Sequence, residues 1–344
     1  MASFKSGLII GKHIASGFFG DVYMGQDPVH GAVAVKRIQK DPTKPDAEWS
    51  ARKQGLLKEA QNLKAASHRN VVQIHHLVED ETDDSIVFAM EYCAGGSLQG
   101  VYDAGPMKLD RLRKVATEIT LGLQSLHSRG MLHRDIKPGN ILISGSGVAQ
   151  LGDFGLVTDN LILGYGSQAG YSDHIAPEVW AGGGTSVKAD IWSMGMTLYR
   201  LLHGSSWYSA APLPRTVVQD GDYCKTLKWL PHIPDEWRRI IRKMLHDSPD
   251  KRVQTATELF AALSRLPTPE WSCSVTPKEI RWERVKGPRK VSVLWQRHNA
   301  RDHEWHAWSE PLKTGKTHTL GGGDDILSRK EVDRQLQEFF KNNP

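Results

Sequence analysis

The chain has 344 residues, 39% hydrophobic and 24% charged, which supplies apolar material for a large core and speaks against a disordered chain. Its formal charge of +5 permits an acidic partner without requiring one. Three scattered cysteines, Cys93, Cys224 and Cys273, speak against a disulfide framework, the first seven residues lack an apolar signal core, and no stretch approaches the ~20 apolar residues of a membrane span, so a cytoplasmic protein without membrane attachment is expected.

Taken in order, Leu8-Ile9-Ile10, Asp21 to Gly25 and Ala32 to Lys36 read as strands, with a glycine-bearing turn after the first. Trp49 to Ala66 reads as a helix whose apolar face is Leu56, Leu57, Ala60 and Leu63. Ser85 to Met90 is a buried strand, and Leu109 to His127 is an amphipathic helix with Leu112, Val115, Ala116, Ile119, Leu123 and Leu126 on one side.

That helix delivers the chain to His133-Arg134-Asp135-Ile136-Lys137-Pro138-Gly139-Asn140 and, beyond the apolar run Ile141-Leu142-Ile143, to Asp153-Phe154-Gly155. An Asp and an Asn five positions apart, with a second Asp at a later turn, gather oxygen ligands and a proton acceptor around one point. Phosphoryl transfer needs this set: hard oxygens for magnesium and a carboxylate to orient the attacking hydroxyl. The stretch resembles the catalytic and magnesium-binding loops of the eukaryotic-type serine/threonine protein kinase family. The resemblance implies an α+β bilobal fold, with a small β-rich N-lobe over about 1–90, a hinge over about 91–97 and a larger helical C-lobe over about 98–267.

It also implies roles. Asp135 would be the base, Lys137 a charge stabiliser near the γ-phosphate of ATP, and Asn140 and Asp153 the Mg2+ ligands. Ala15, Gly17, Gly20 and Val22 fall on the phosphate-covering loop, where Ala15 replaces the family's first glycine. Lys36, in Val33-Ala34-Val35-Lys36, matches the phosphate-binding lysine; Glu59, nine residues before His68-Arg69-Asn70, matches its helix partner. Met90 would guard the pocket behind the adenine, next to Ala34, and backbone groups of Glu91 and Cys93 would bond the base. The lysine two residues after Asp135 is the serine/threonine-kinase pattern.

Between Asp153 and Ala176-Pro177-Glu178 lies an activation segment whose phosphate acceptors would be Thr158, Ser167, Tyr171 or Ser172, with Arg134 as the cation that meets the phosphate. The segment departs from the family: Tyr171 stands where a threonine usually bonds the catalytic Asp and Lys, and His174 replaces a tyrosine. Asp190 resembles the aspartate that braces the catalytic loop, and Arg252 the arginine that pairs with Glu178. Ala176-Pro177-Glu178 and the helix after it favour a protein acceptor over a small molecule.

The resemblance ends near Leu266-Pro267-Thr268-Pro269, so residues 268–344 are expected to form a separate module. It holds five of the eleven tryptophans, strands at Glu279 to Val285 and Lys290 to Gln296, and a final helix with Ser328 as N-cap, Glu331 completing a capping box, and Val332, Leu336, Phe339 and Phe340 on one face. Lys278, Arg281, Arg284, Lys286, Arg289, Lys290 and Arg297 interleave with tryptophans, a pattern that fits either nucleic-acid binding or a solvated basic face over a tryptophan core; the second is preferred. His298, His303 and His306 invite a zinc reading, which the lack of a cysteine pair or a helical His-Glu motif nearby disfavours. The expectation is therefore an active kinase using ATP and Mg2+ on protein substrates, able to phosphorylate itself, with a C-terminal docking or regulatory element for the kinase or for a protein partner. The alternative is a pseudokinase scaffold acting through that element.

Overall fold

The computed structural model describes residues 7–17, 20–65, 67–80, 82–153, 174–209 and 222–343. Five antiparallel strands form the first sheet: β1 (Ile9–Gly17), β2 (Gly20–Asp27), β3 (Gly31–Ile38), β4 (Ile74–Asp80) and β5 (Ser85–Glu91), in the order β1-β2-β3-β5-β4. Side chains alternate across it. Val33, Val35 and Val87 pack on the outer face, whereas Ile38, Ile86 and Phe88 face α1 (Asp46–Ala65). That helix starts three residues earlier than its apolar pattern suggested, behind Pro45, with Asp46 and Glu48 in its positive first turn. Among its described side chains Trp49, Leu56 and Ala60 are buried, and Leu63 lies outside them; Leu57, read as part of the apolar face, is 48% exposed because it lies a residue off that stripe.

The second lobe is helical. It comprises α2 (Gln99–Ala104), α3 (Leu109–His127), α4 (Pro177–Trp180), α5 (Val187–Tyr208), α6 (Tyr223–Thr226), α7 (Asp235–Met244) and α8 (Ala256–Leu263), with a small hairpin of β6 (Ile141–Ile143) and β7 (Ala149–Leu151). All six residues expected to face inward on α3 are buried. Helix α5 is buried along most of its length and carries non-helical backbone at Gly204, φ 70°. A side chain there would strike the backbone of Gly105 at 2.6 Å.

Beyond Leu266 the chain forms a second five-stranded antiparallel sheet of β8 (Ser272–Val275), β9 (Glu279–Lys286), β10 (Arg289–Arg297), β11 (His303–Pro311) and β12 (His318–Leu327), each strand beside its chain neighbour, followed by α9 (Arg329–Asn342). The expected hairpin runs through Lys286 and Arg289, which are paired. Ser328 caps α9 by accepting from the Glu331 amide, and Val332, Leu336, Phe339 and Phe340 are its buried residues, as the spacing required. Strands β8, β11 and β12 extend the sheet beyond the two strands read from sequence.

The prolines at 267 and 269 do not separate two cores. One apolar cluster runs from Leu230, Ile233 and Trp237 into Trp271, Trp282 and Phe340. Phe340 meets Trp271 edge-on at 5.1 Å and Trp282 at 5.2 Å between ring centroids. Trp282 Nε1 donates to His232 Nδ1 at 2.9 Å, and Trp237 Nε1 donates to the Pro267 carbonyl at 2.8 Å. Trp271, Trp282, Trp295 and Trp305 are buried and spent on packing, while Trp308 is half-buried. His303 Nδ1 accepts from Trp295 Nε1, while His298 and His306 face Glu304 and Asp324 separately.

Two buried histidines set an acid limit on this core. His203 Nδ1 donates to the Tyr199 carbonyl and its Nε2 accepts from the Leu230 amide, so the ring is neutral. Burial pushes both His203 and His232 down from 6.5 to about 3. Unfolded chains take up these protons first, so their contribution is complete above about pH 6.5 and is lost as pH falls toward 3. Urea unfolding between pH 7.5 and 5 should show stability falling with acidification, by at most about 1.4 kcal/mol per pH unit for each histidine. His232→Asn, which keeps an acceptor for Trp282 but cannot titrate, should flatten that slope.

Candidate active site

Directly paired residues of adjacent strands share a face, and the ladders place Ala15 opposite Val22, Val22 opposite Lys36, and Ala34 opposite Met90. Ala15, Val22, Ala34, Lys36 and Met90 therefore line one side of the first sheet. Gly17 pairs with Gly20 at the mouth of the turn. Gly20, at φ 126°, lies so close to β3 that a Cβ would sit 2.1 Å from the Arg37 carbonyl oxygen, which demands glycine for packing as well as for phosphate access. The turn's tip, Phe18 and Phe19, lies outside the described residues, as does the side chain of Glu59 on α1. Lys36 is buried and forms an ion pair with Asp153, at the far end of β7, joining the two lobes.

At the hinge, Glu91 ends β5 and Cys93 follows it. The buried side chain of Gln150 donates from Nε2 to Glu91 Oε2 at 2.9 Å and to the Arg69 carbonyl at 3.2 Å, and its Oε1 accepts from Cys93 Sγ at 3.2 Å. Burial, with the Glu91 carboxylate beside it, pushes the Cys93 thiol up to about 12.

The loop carrying Asp135 hangs from one carboxylate. Asp190 Oδ2 accepts from the His133 amide and from His127 Nε2, both at 2.9 Å, and Oδ1 accepts from the Arg134 amide at 2.8 Å. Arg134 has φ 70°, a left-handed conformation costly for a residue with a side chain. The His133 Nδ1 accepts from the Asp135 amide at 3.3 Å, so its proton is on Nε2, which donates to the Gly152 carbonyl at 3.1 Å. Burial keeps this imidazole below its ordinary pKa. It links the Asp135 loop to the residue before Asp153, which itself holds φ 53°.

Further along α5, on the same face as Asp190, Ser193 donates to the His174 carbonyl at 2.6 Å and Thr197 to the Ile136 carbonyl at 3.1 Å. Asp135 is thereby presented with its Oδ2 engaged by Lys137 Nζ at 2.8 Å and Asn140 Nδ2 at 2.7 Å. His174 Nε2 stands 3.4 Å from its Oδ1, which accepts no well-aligned hydrogen bond among the described residues. Burial pushes the Asp135 carboxyl up, but His174 and Lys137 outweigh it and hold it well below the usual carboxylate range. Glu178 and Arg252 form a two-point pair at 2.7 Å for each oxygen.

Among the described residues no group of three or more His, Cys, Asp or Glu side chains is placed to hold a metal. Magnesium bound with a nucleotide needs no such cage, because phosphates and water complete its shell. Asn140 spends its amide nitrogen on Asp135, leaving Oδ1 as a ligand atom, and Asp153 adds a carboxylate. This pair of hard oxygens fits the ion.

The Protein kinase domain family model matches residues 8–262, nearly three quarters of the chain. The chain belongs to the protein kinase family. It is similar to CBL-interacting serine/threonine-protein kinase 5 of Arabidopsis thaliana, 31% identical over 253 residues, covering 71% of this chain and 55% of that protein. Mitogen-activated protein kinase kinase kinase 3 of Homo sapiens is 36% identical over 199 residues, 56% of this chain and 32% of its own length. Serine/threonine-protein kinase ssp1 of Schizosaccharomyces pombe is 26% identical over 260 residues, 70% and 40%. The chain thus spans from a third to somewhat over half of the length of these relatives.

In this kinase domain the structure gathers Lys36, Asp135, Lys137, Asn140 and Asp153 between the lobes, with Met90, Glu91 and Cys93 at the hinge. The activation-segment candidates Thr158, Ser167, Tyr171 and Ser172 lie outside the described residues. Sequence reading missed Gln150, Ser193 and Thr197. The last two stand three and seven positions after Asp190, a helical spacing that marks them as neighbours of the residue already singled out. Asp190→Ala removes the acceptor of three buried donors beneath a strained backbone, and should lower unfolding stability by about 3 kcal/mol or more in urea titration.

Proposed function

We propose that this protein is a serine/threonine kinase that transfers the γ-phosphate of ATP, with Mg2+, to hydroxyls of protein substrates, including its own. The observation that carries this reading is the asymmetric setting of Asp135, buried and ionised, with Oδ2 held by Lys137 and Asn140 and Oδ1 left to an incoming hydroxyl. Asp135 orients that hydroxyl and takes its proton; Lys137 offsets charge growing on the transferred group. Lys36 meets the α and β phosphates, and the Glu91 and Cys93 backbones meet the base, with Met90 restricting the space behind it. Asn140 and Asp153 hold the magnesium ion, which when bound neutralises phosphate charge. The ion pair between Lys36 and Asp153 supports a site in which phosphate and metal bind side by side.

Serine/threonine specificity is supported by Lys137 and by the likeness to proteins named serine/threonine-protein kinases from Arabidopsis thaliana and Schizosaccharomyces pombe. A cytoplasmic setting is supported by the free cysteines, and no helix among the described residues is long and apolar enough to cross a membrane. Residues 1–267 form the catalytic unit in this reading, and residues 268–344 a module fixed to its base that offers a face to a protein partner.

Labelled ATP with Mg2+ should transfer phosphate to serine or threonine of the protein itself or of casein, mapped by mass spectrometry, with label on Thr158, Ser167 or Ser172 identifying the activating site. Asp135→Ala should lower the rate at least about 100-fold. Label confined to tyrosine, or equal transfer by the variant, would overturn the assignment.

A further inference from the structure

His174 stands beside the buried, unbonded oxygen of Asp135. Both side chains are only 3% exposed, and the His174 Nε2 lies 3.4 Å from Oδ1, on the side opposite the two donors that occupy Oδ2. The histidine is also anchored. Its carbonyl accepts from Ser193 Oγ at 2.6 Å, and Ser193 lies one turn along α5 from Asp190, which fixes the amides of His133 and Arg134. A single helix therefore sets both ends of the contact between His174 and Asp135.

The plane of an aspartate carboxylate swings over a broad range about its last torsion. Lys137 and Asn140 hold one oxygen of that plane, and His174 Nε2, 3.4 Å from the other, borders it on the far side. Burial, aided by Lys137 and Arg200 and opposed by Asp135, keeps His174 below its ordinary pKa. The 3.4 Å contact is not a well-aligned hydrogen bond; once aligned it would take one lone pair of Oδ1 and leave the other for a hydroxyl. The sequence carries tyrosine at 171, so it lacks the threonine hydroxyl that the family resemblance would otherwise place on Asp135 and Lys137.

We infer that His174 is a positioning residue that fixes the Asp135 carboxylate in the orientation that receives a serine or threonine hydroxyl, taking over the contact that a threonine at 171 would make. This rests on the kinase reading. His174 touches neither nucleotide nor acceptor and acts through Asp135. Its contact tightens when the acceptor docks, and the acceptor's proton passes to Oδ1 as its oxygen bonds to the γ-phosphorus and the bond to ADP breaks.

The test is single-turnover phosphate transfer to casein from pre-bound MgATP, comparing wild type, His174→Phe and His174→Gln, each also in an Asp135→Asn background. His174→Phe should slow transfer roughly 10- to 100-fold while the KM for ATP and the thermal shift caused by MgATP stay unchanged. His174→Gln, whose Nε2–H can reach the same oxygen, should recover most of the rate. In the Asp135→Asn background the Phe substitution should cost less than about twofold, because the group it acts through is already lost. Equal losses in both backgrounds, a change confined to ATP affinity, or an unchanged rate would overturn the inference. If phenylalanine prevents folding, His174→Leu takes its place against the same glutamine control. Wild type that transfers no phosphate would overturn the kinase reading itself, and the role of His174 with it.

Discussion

The carboxylate of Asp190 supports a backbone that would not otherwise hold its shape. Arg134 sits in a left-handed conformation, and two consecutive amides point at one side chain on a buried helix. From that anchor the order of the site follows outward: His133 bonds both the Asp135 amide and the Gly152 carbonyl, and thereby sets the spacing between Asp135 and Asp153. Ser193 and Thr197 extend the same support to residues 174 and 136. Strain at Arg134 persists because so many bonds over-determine it.

The C-terminal sheet is a continuation of this foundation. Its tryptophans enter the core of the helical lobe, and His232 and Trp282 exchange a hydrogen bond where the two parts meet. Arg113 of α3 donates to the Leu266 carbonyl at 2.8 Å, so the chain is held as it leaves the family's boundary. The catalytic helices α3 and α5 thus rest on a base that residues 271–340 help to build.

Much of this was legible in the residues. The octet His133 to Asn140 announced the site, because few arrangements other than phosphoryl transfer require that order of charge and amide. The N-cap at Ser328 and the stripe Val332, Leu336, Phe339 and Phe340 were readable because capping and 3.6-residue periodicity are local properties. Leu57 misled because a run of apolar residues widens the stripe on paper while packing selects one line of it. Strand β12 was silent, since Gly321, Gly322 and Gly323 carry no alternation; a side chain at Gly322 would collide with the Trp305 carbonyl at 2.0 Å. Gln150 could not be read at all: its three partners are 59, 81 and 57 residues away, and nothing in a glutamine's neighbours along the chain predicts them.

The hinge network has a further consequence for chemical intervention. In the proposed reading the Cys93 backbone meets the adenine, so a thiol near that site invites an electrophilic warhead. Yet a thiol bonded to Gln150 and raised to about 12 by burial and the Glu91 carboxylate has almost no thiolate at neutral pH. On that reading the raised thiol makes Cys93 a poor target for acrylamides, and selectivity falls to reversible contacts with the backbone and with Met90.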